Sequence, residues 1–177
     1  MMRLGLKRDE VKLVPHDEAW TMEFLSVQKQ VQDALGIDGE AVQHIGSTAI
    51  KEIKAKPIID ILLGVENISQ VEAETFQALQ AIGFYRLKVE REQEIVLARF
   101  TDNTFLEKTH YIHMTDINGE KWRKLLYFRD ALNADASLRQ EYERLKRALA
   151  EKKGMEIIKY TNEKESFVKK VLMMQEK

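Results

Sequence analysis

At 177 residues, with 44% hydrophobic and 32% charged residues, the chain has the composition of a folded domain with a sizeable core, which excludes a disordered polymer. A formal net charge of −1 gives no global attraction for nucleic acid, so any anion site has to come from a local cluster of Lys and Arg. The absence of cysteine excludes disulfides, thiol catalysis and zinc–thiolate sites, and no apolar run approaches the roughly 18 residues that span a bilayer.

Residues 1–10 carry charges where a signal peptide needs its apolar stretch, so the expected location is the cytoplasm, with no membrane partner. Two prolines, no low-complexity segment and no internal repeat give no linker, and residues 1–177 read as one domain whose 118–177 part is helical. In chain order, Val11, Leu13 and Val14 alternate with charge before Pro15, the pattern of a short first strand. Asp17 can then cap a helix whose apolar stripe is Trp20, Phe24, Val27, Val31 and Leu35, stopping at Gly36. Two apolar runs, 41–45 and 57–65, read as buried strands, and Ser69-Gln70-Val71-Glu72 has the form of a capping box for a helix ending at Gly83. Residues 84–89, 95–100 and 109–114 are rich in aromatic and β-branched side chains and predict three more strands. The intervening Glu90-Arg91-Glu92-Gln93-Glu94 reads as a solvated hairpin connection. From Gly119 the periodicity is helical: one stripe through Trp122, Leu125 and Leu132; a second capped at Ser137 with Leu138, Tyr142, Leu145 and Leu149, ending at Gly154; a third capped within 162–165. The expected class is α/β (α+β): a mixed β-sheet with flanking helices and a C-terminal helical segment.

The stretch that carries chemistry lies between the two apolar runs. Gly46, Ser47 and Thr48 open a loop that bears Lys51, Lys54 and Lys56, a composition suited to holding an anion against backbone N–H groups. The second run then places Asp60 among Ile58, Ile59, Ile61, Leu62 and Leu63, where a carboxylate needs a partner. Two readings stand side by side: a phosphate-binding turn with a metal-binding acid, or a plain turn with an acid that only receives local donors.

Several blocks resemble the GrpB family: His44-Ile45-Gly46-Ser47-Thr48-Ala49, Lys56-Pro57-Ile58-Ile59-Asp60-Ile61, Thr109-His110-Tyr111-Ile112-His113-Met114 and Leu126-Tyr127-Phe128-Arg129-Asp130. The opening Val14-Pro15-His16-Asp17-Glu18-Ala19-Trp20 and the helix through Tyr142 and Lys146 are similar too, so the likeness covers nearly the whole chain. That family is similar in fold to the DNA polymerase beta-like nucleotidyltransferases, and its domain also occurs fused to dephospho-CoA kinases. The resemblance implies a glycine-serine element on nucleotide phosphates, here Gly46 and Ser47 with Thr48, and a first metal-binding acid, here Asp60, for which Mg²⁺ is the expected ion. The second acid position is Leu62, and where a third would fall the chain has His113, a borderline ligand. His110 and His113 differ by three positions and face opposite sides of a strand, whereas Tyr111 and His113 share one; family members often have histidine where this chain has Tyr111. A metal set of Asp60, His113 and His44 competes with histidines that only satisfy hydrogen bonds.

Three functions follow. The first is nucleotidyl transfer with Asp60 as the catalytic, metal-holding acid and with Gly46, Ser47, Thr48, Lys56, His113 and Arg129 binding the substrate. The second keeps the pocket and drops the chemistry: a module that binds a nucleotide or another phosphorylated small molecule, or a regulatory domain related to coenzyme A metabolism. The third is a scaffolding role for the C-terminal helices, whose Lys146, Arg147, Lys152, Lys153, Lys169 and Lys170 alternate with Glu143, Glu151 and Glu165 as on a solvated face.

Overall fold

The computed structural model describes residues 2–8, 10–151 and 155–176. Its elements are β1 Leu6–Lys7, α1 Ala19–Leu35, β2 Val42–Ile45, β3 Ile59–Val65, α2 Ala73–Ala81, β4 Tyr85–Arg86, β5 Ile95–Phe100, β6 Glu107–Asp116, α3 Glu120–Ala134, α4 Ala136–Glu151 and α5 Met155–Met173. The strands form one mixed sheet in the order β2-β3-β6-β5-β4, with β1 paired to the start of β6. Only β3 and β6 run parallel, and both are buried on two faces, which is why β3, Asp60 apart, reads as a continuous apolar run rather than an alternation.

The two faces carry different layers. On one, Ile59, Ile61 and Leu63 of β3 and Ile112 and Met114 of β6 pack against Trp20, Phe24, Val27 and Val31 of α1 and Leu79 of α2. On the other, Leu62 and Ile45 meet Trp122 of α3. Beyond them Ile50 and Ile53, from the loop between β2 and β3, join Leu132, Leu138, Tyr142, Leu145, Phe167 and Val171 of the three C-terminal helices. The period of two in the strands sends alternate residues to these separate cores.

α1 ends as its sequence predicts, at Gly36 with φ 63°, and the Asp17 carboxylate accepts from the Ala19 N–H at its start. Five boundaries differ from the sequence expectation. The first strand is Leu6–Lys7, where Leu6 is buried, whereas Val11 is exposed and Val14 makes a single bridge to Ala55. α2 begins at Ala73, because Asn67 accepts from the Ser69 N–H and Asp116 from the Ile68 N–H, holding Ile68–Gln70 in a separate 3₁₀ turn. α4 is capped by Asp135, which accepts from the N–H groups of Ser137 and Leu138, rather than by Ser137. Residues 162–165 lie inside α5, and Gly154 falls outside the described residues. Of 84–89 only Tyr85–Arg86 pairs, at the sheet edge, and Val89 is exposed.

Candidate functional site

β2 and β3 are antiparallel neighbours with Ile45 opposite Asp60, so the chain leaving β2 turns directly over the acid. The turning residue is Gly46, at φ 72°, followed by the single 3₁₀ turn Ser47–Ala49. A Cβ at Gly46 would lie 2.5 Å from Asp60 Oδ2, so only glycine allows this close approach in this left-handed conformation. The turn and the acid therefore face one cleft.

The rest of the cleft comes from far along the chain. Tyr111 is the neighbour of Asp60 across the parallel β3–β6 pair. Tyr142 of α4 lines the cleft together with Ser47 of the turn, and burial raises its pKa. Lys146, one helical turn on, is 8% exposed; its Nζ donates to Lys54 O at 2.9 Å and lies 5.3 Å from the Tyr142 ring centre. Lys164 of α5 stands over the same ring at 5.9 Å. Lys56, exposed at the rim, completes a cavity of about 270 Å³ lined by Gly46, Ser47, Asp60, both tyrosines and three lysines. The loop that bears Lys56 is tied to α4 at several points: Glu143 accepts from the Lys54 N–H at 3.1 Å, and Arg139 pairs with Glu52 at 2.7 Å.

Burial, then the nearby ammonium groups of Lys164 and Lys56, push the Lys146 pKa down to about 7, against the opposing pull of Glu143 and Asp60. Burial also lowers that of Lys164. Beneath the cleft runs a chain of charges. Asp60 Oδ1 receives His113 Nε2 at 3.0 Å; His113 Nδ1 contacts Glu94, which also takes Lys121 and, at 3.5 Å, Arg91. Burial alone would lower the His113 pKa, but the hydrogen bonds to Asp60 and Glu94 and their charges raise it to about 9. Burial would raise that of Glu94, yet His113 and Lys121 bring it down to about 2.

Of the residues singled out from sequence, Gly46, Ser47, Lys56 and Asp60 line the cleft and His113 supports Asp60 from beneath. Thr48 and Arg129 stand elsewhere. The Thr48 side chain is buried, bonded to His44 Nε2 at 3.0 Å, and the Arg129 guanidinium donates to His44 O at 2.9 Å and Gln43 at 3.1 Å, bracing β2. His44 stacks on Phe24 at 4.8 Å on the opposite side of the sheet, so the set Asp60, His113 and His44 does not converge. Among the described residues no group of three His, Asp or Glu is arranged to hold a metal. Leu62, at the second acid position, is fully buried against Ile45 and Trp122. One carboxylate already bonded to an imidazolium, with three ammonium groups around it, is a donor set that does not fit Mg²⁺, which takes oxygen ligands.

Two sequence readings are corrected here. Glu94 is not solvated: its side chain is 2% exposed and pairs with His113, Lys121 and Arg91. Lys146 is not on a solvated helix face but points into the cleft. The signal for Lys146 was its spacing, four residues beyond Tyr142 and eight beyond Leu138 on the apolar stripe. For Glu94 it was the alternation Glu94, Val96, Ala98, opposite His113 and Tyr111.

The family model described as GrpB protein matches residues 10–174. The chain belongs to the GrpB family. A relative named glutamate-rich protein GrpB, from Alkalihalophilus pseudofirmus, is 42% identical over 170 residues, 96% of this chain and 98% of that protein. The crystal structure of the conserved protein GrpB from Enterococcus faecalis superposes with a TM-score of 0.73 at 22% identity, covering 94% of this chain and 100% of that one. A Cid1 poly(U) polymerase bound to MgATP superposes with a TM-score of 0.52 at 12% identity, covering 76% of this chain and 44% of that one. At such identities what is shared is the fold, and the GrpB chain has a nucleotidyltransferase-like one. Among the described residues no helix is long and apolar enough to cross a membrane.

Proposed function

We propose that this GrpB chain binds a nucleotide or other phosphorylated small molecule in the cleft between the Gly46-Ser47 turn and α4, without two-metal transfer chemistry. The observation that carries it is the convergence of Lys56, Lys146 and Lys164 on a glycine-serine turn. Lysines in a cavity whose walls exclude part of the water bind an anion more strongly than the same charges on an open surface. Leu62 in the core and a carboxylate already engaged by His113 speak for binding over transfer. The solved neighbour bound to MgATP supports a nucleotide-type ligand by fold alone.

Thermal unfolding tests the reading with sulfate, phosphate, pyrophosphate, nucleoside mono- and triphosphates and coenzyme A precursors. A ligand of the cleft raises the melting temperature in proportion to the logarithm of its concentration over its dissociation constant. Lys146→Ala and Lys56→Ala are expected to remove that rise; a panel without any shift would count decisively against the proposal. The sulfate arm also carries a pH signature, because its charge is constant near neutrality. Lys146, faced by Lys164, Lys56, Glu143 and Asp60, titrates at about 7, so sulfate affinity should strengthen as pH falls through that value in the wild type and stay flatter in Lys146→Ala.

A further inference from the structure

Resting on the reading of the cleft as an anion site, we propose that Asp60 is the cleft's hydrogen-bond acceptor, so that the ligand carries a hydroxyl or ammonium donor close to its anionic group. The carboxylate has a fixed orientation. Its Oδ1 is taken by His113 Nε2 at 3.0 Å, while Oδ2 lies at the turn, where a Cβ on Gly46 would meet it at 2.5 Å. His113 cannot swing away, since its other ring nitrogen is held by Glu94, which is itself held by Lys121 and Arg91. His113 and Glu94 are thus positioning residues: they lock the plane of a carboxylate that is 29% exposed in its side chain and lines the cleft.

The lysines around it do not take this oxygen. Lys146 donates to Lys54 O, and both Lys146 and Lys164 lie over the Tyr142 ring. A ligand that is only an anion would meet the three ammonium groups and, beside them, the carboxylate oxygen that His113 does not take, a like charge with no donor between. A ligand with a donor next to its anion turns that repulsion into a charge-assisted hydrogen bond, one of the stronger kinds. The fixed carboxylate is then a specificity element that discriminates against plain anions.

Three phosphate monoesters separate the possibilities by calorimetry at one pH: methyl phosphate, which has no donor in its ester group, glycerol 3-phosphate, with hydroxyls, and phosphoethanolamine, with an ammonium. The wild type should bind one of the donor-bearing esters about tenfold or more tighter than methyl phosphate; which one identifies the donor. In Asp60→Asn, which keeps the shape and loses the charge, that ratio should fall several-fold while methyl phosphate binds equally or more tightly. His113→Gln should lower the same ratio, which a merely structural role would not move. Equal binding of all three esters to the wild type, a comparison that needs no variant to fold, overturns the inference and leaves the anion reading standing. Failure of all three esters to bind, or binding that survives Lys146→Ala unchanged, overturns the anion reading and this inference with it.

Discussion

β6 carries two histidines three residues apart, and the sheet sends them into opposite environments. His110 faces the layer of α1 and α2, 3% exposed, edge-on to Phe84. Glu23 is 3.0 Å from it and favours the imidazolium, yet burial and the Arg99 guanidinium outweigh that and push its pKa down to about 3. His44, stacked on Phe24 in the same layer, is likewise pushed down to about 4, chiefly by burial. His113 faces the α3–α5 side between two carboxylates and is raised to about 9. Burial opposes the charged form on both faces; a second carboxylate decides the sign. One face is a core that holds its histidines neutral, and the other is a core built around a charged one.

The contrast can be broken most severely at Leu62, by turning the apolar part of the charged face polar. Leu62→Asp supplies the missing second acid, but in a fully buried site against Trp122, and should cost about 4–5 kcal/mol in urea unfolding. A stable variant whose melting temperature rises with Mg²⁺ would show that the face accepts a metal after all. The next effect is on pH dependence. The raised His113 contributes stability that is fully present below its ordinary value of 6.5 and is lost as pH rises through about 9, on the order of 3 kcal/mol in all. The lowered His110 and His44 act in the reverse sense: stability is present above 6.5 and declines as pH falls toward their folded values. Lys146, lowered to about 7, gains stability as pH rises above that value and so opposes His113 on the alkaline side. The His113 contribution is read as the difference in unfolding free energy between the wild type and His113→Gln, which should shrink as pH rises from 6.5 to about 9. A difference that stays constant across that range would mean that another group titrates.

Smaller effects sharpen the boundary of the cleft. Gly46→Ala combines a positive φ with a clash against Asp60 and should cost about 2 kcal/mol, with ligand-induced melting shifts lost. Arg129→Ala removes the donors to His44 O and Gln43 and should cost about 1 kcal/mol while leaving those shifts unchanged. Loss of the shifts in Arg129→Ala would return that residue to the site.

The uneven legibility of the sequence has physical causes. The β2 and β3 runs, the α1 stripe and the Gly36 stop were readable because local periodicity and a left-handed cap are written in neighbouring residues. The shared cleft of Gly46 and Asp60 was readable because the resemblance carried it. Starts of helices were harder: Asp135 outcompetes Ser137, and the donors of Ile68 and Ser69 go to Asp116 and Asn67, choices that depend on where the chain lies in space. Lys146 and Glu94 were hidden for a related reason. A charged residue near other charges looks solvated until the fold places a ring or an imidazole over it.

The loop that bears Lys56 hangs from α4 through Lys54, whose partners Lys146 and Glu143 are 92 and 89 residues away along the chain. Anything seated in the cleft touches both the early strands and the late helices and so acts as a clasp between them. Amide hydrogen exchange in residues 50–56 and along α4 should then slow together on occupancy, as one cooperative unit, giving a readout of binding that requires no turnover and no knowledge of the ligand's name.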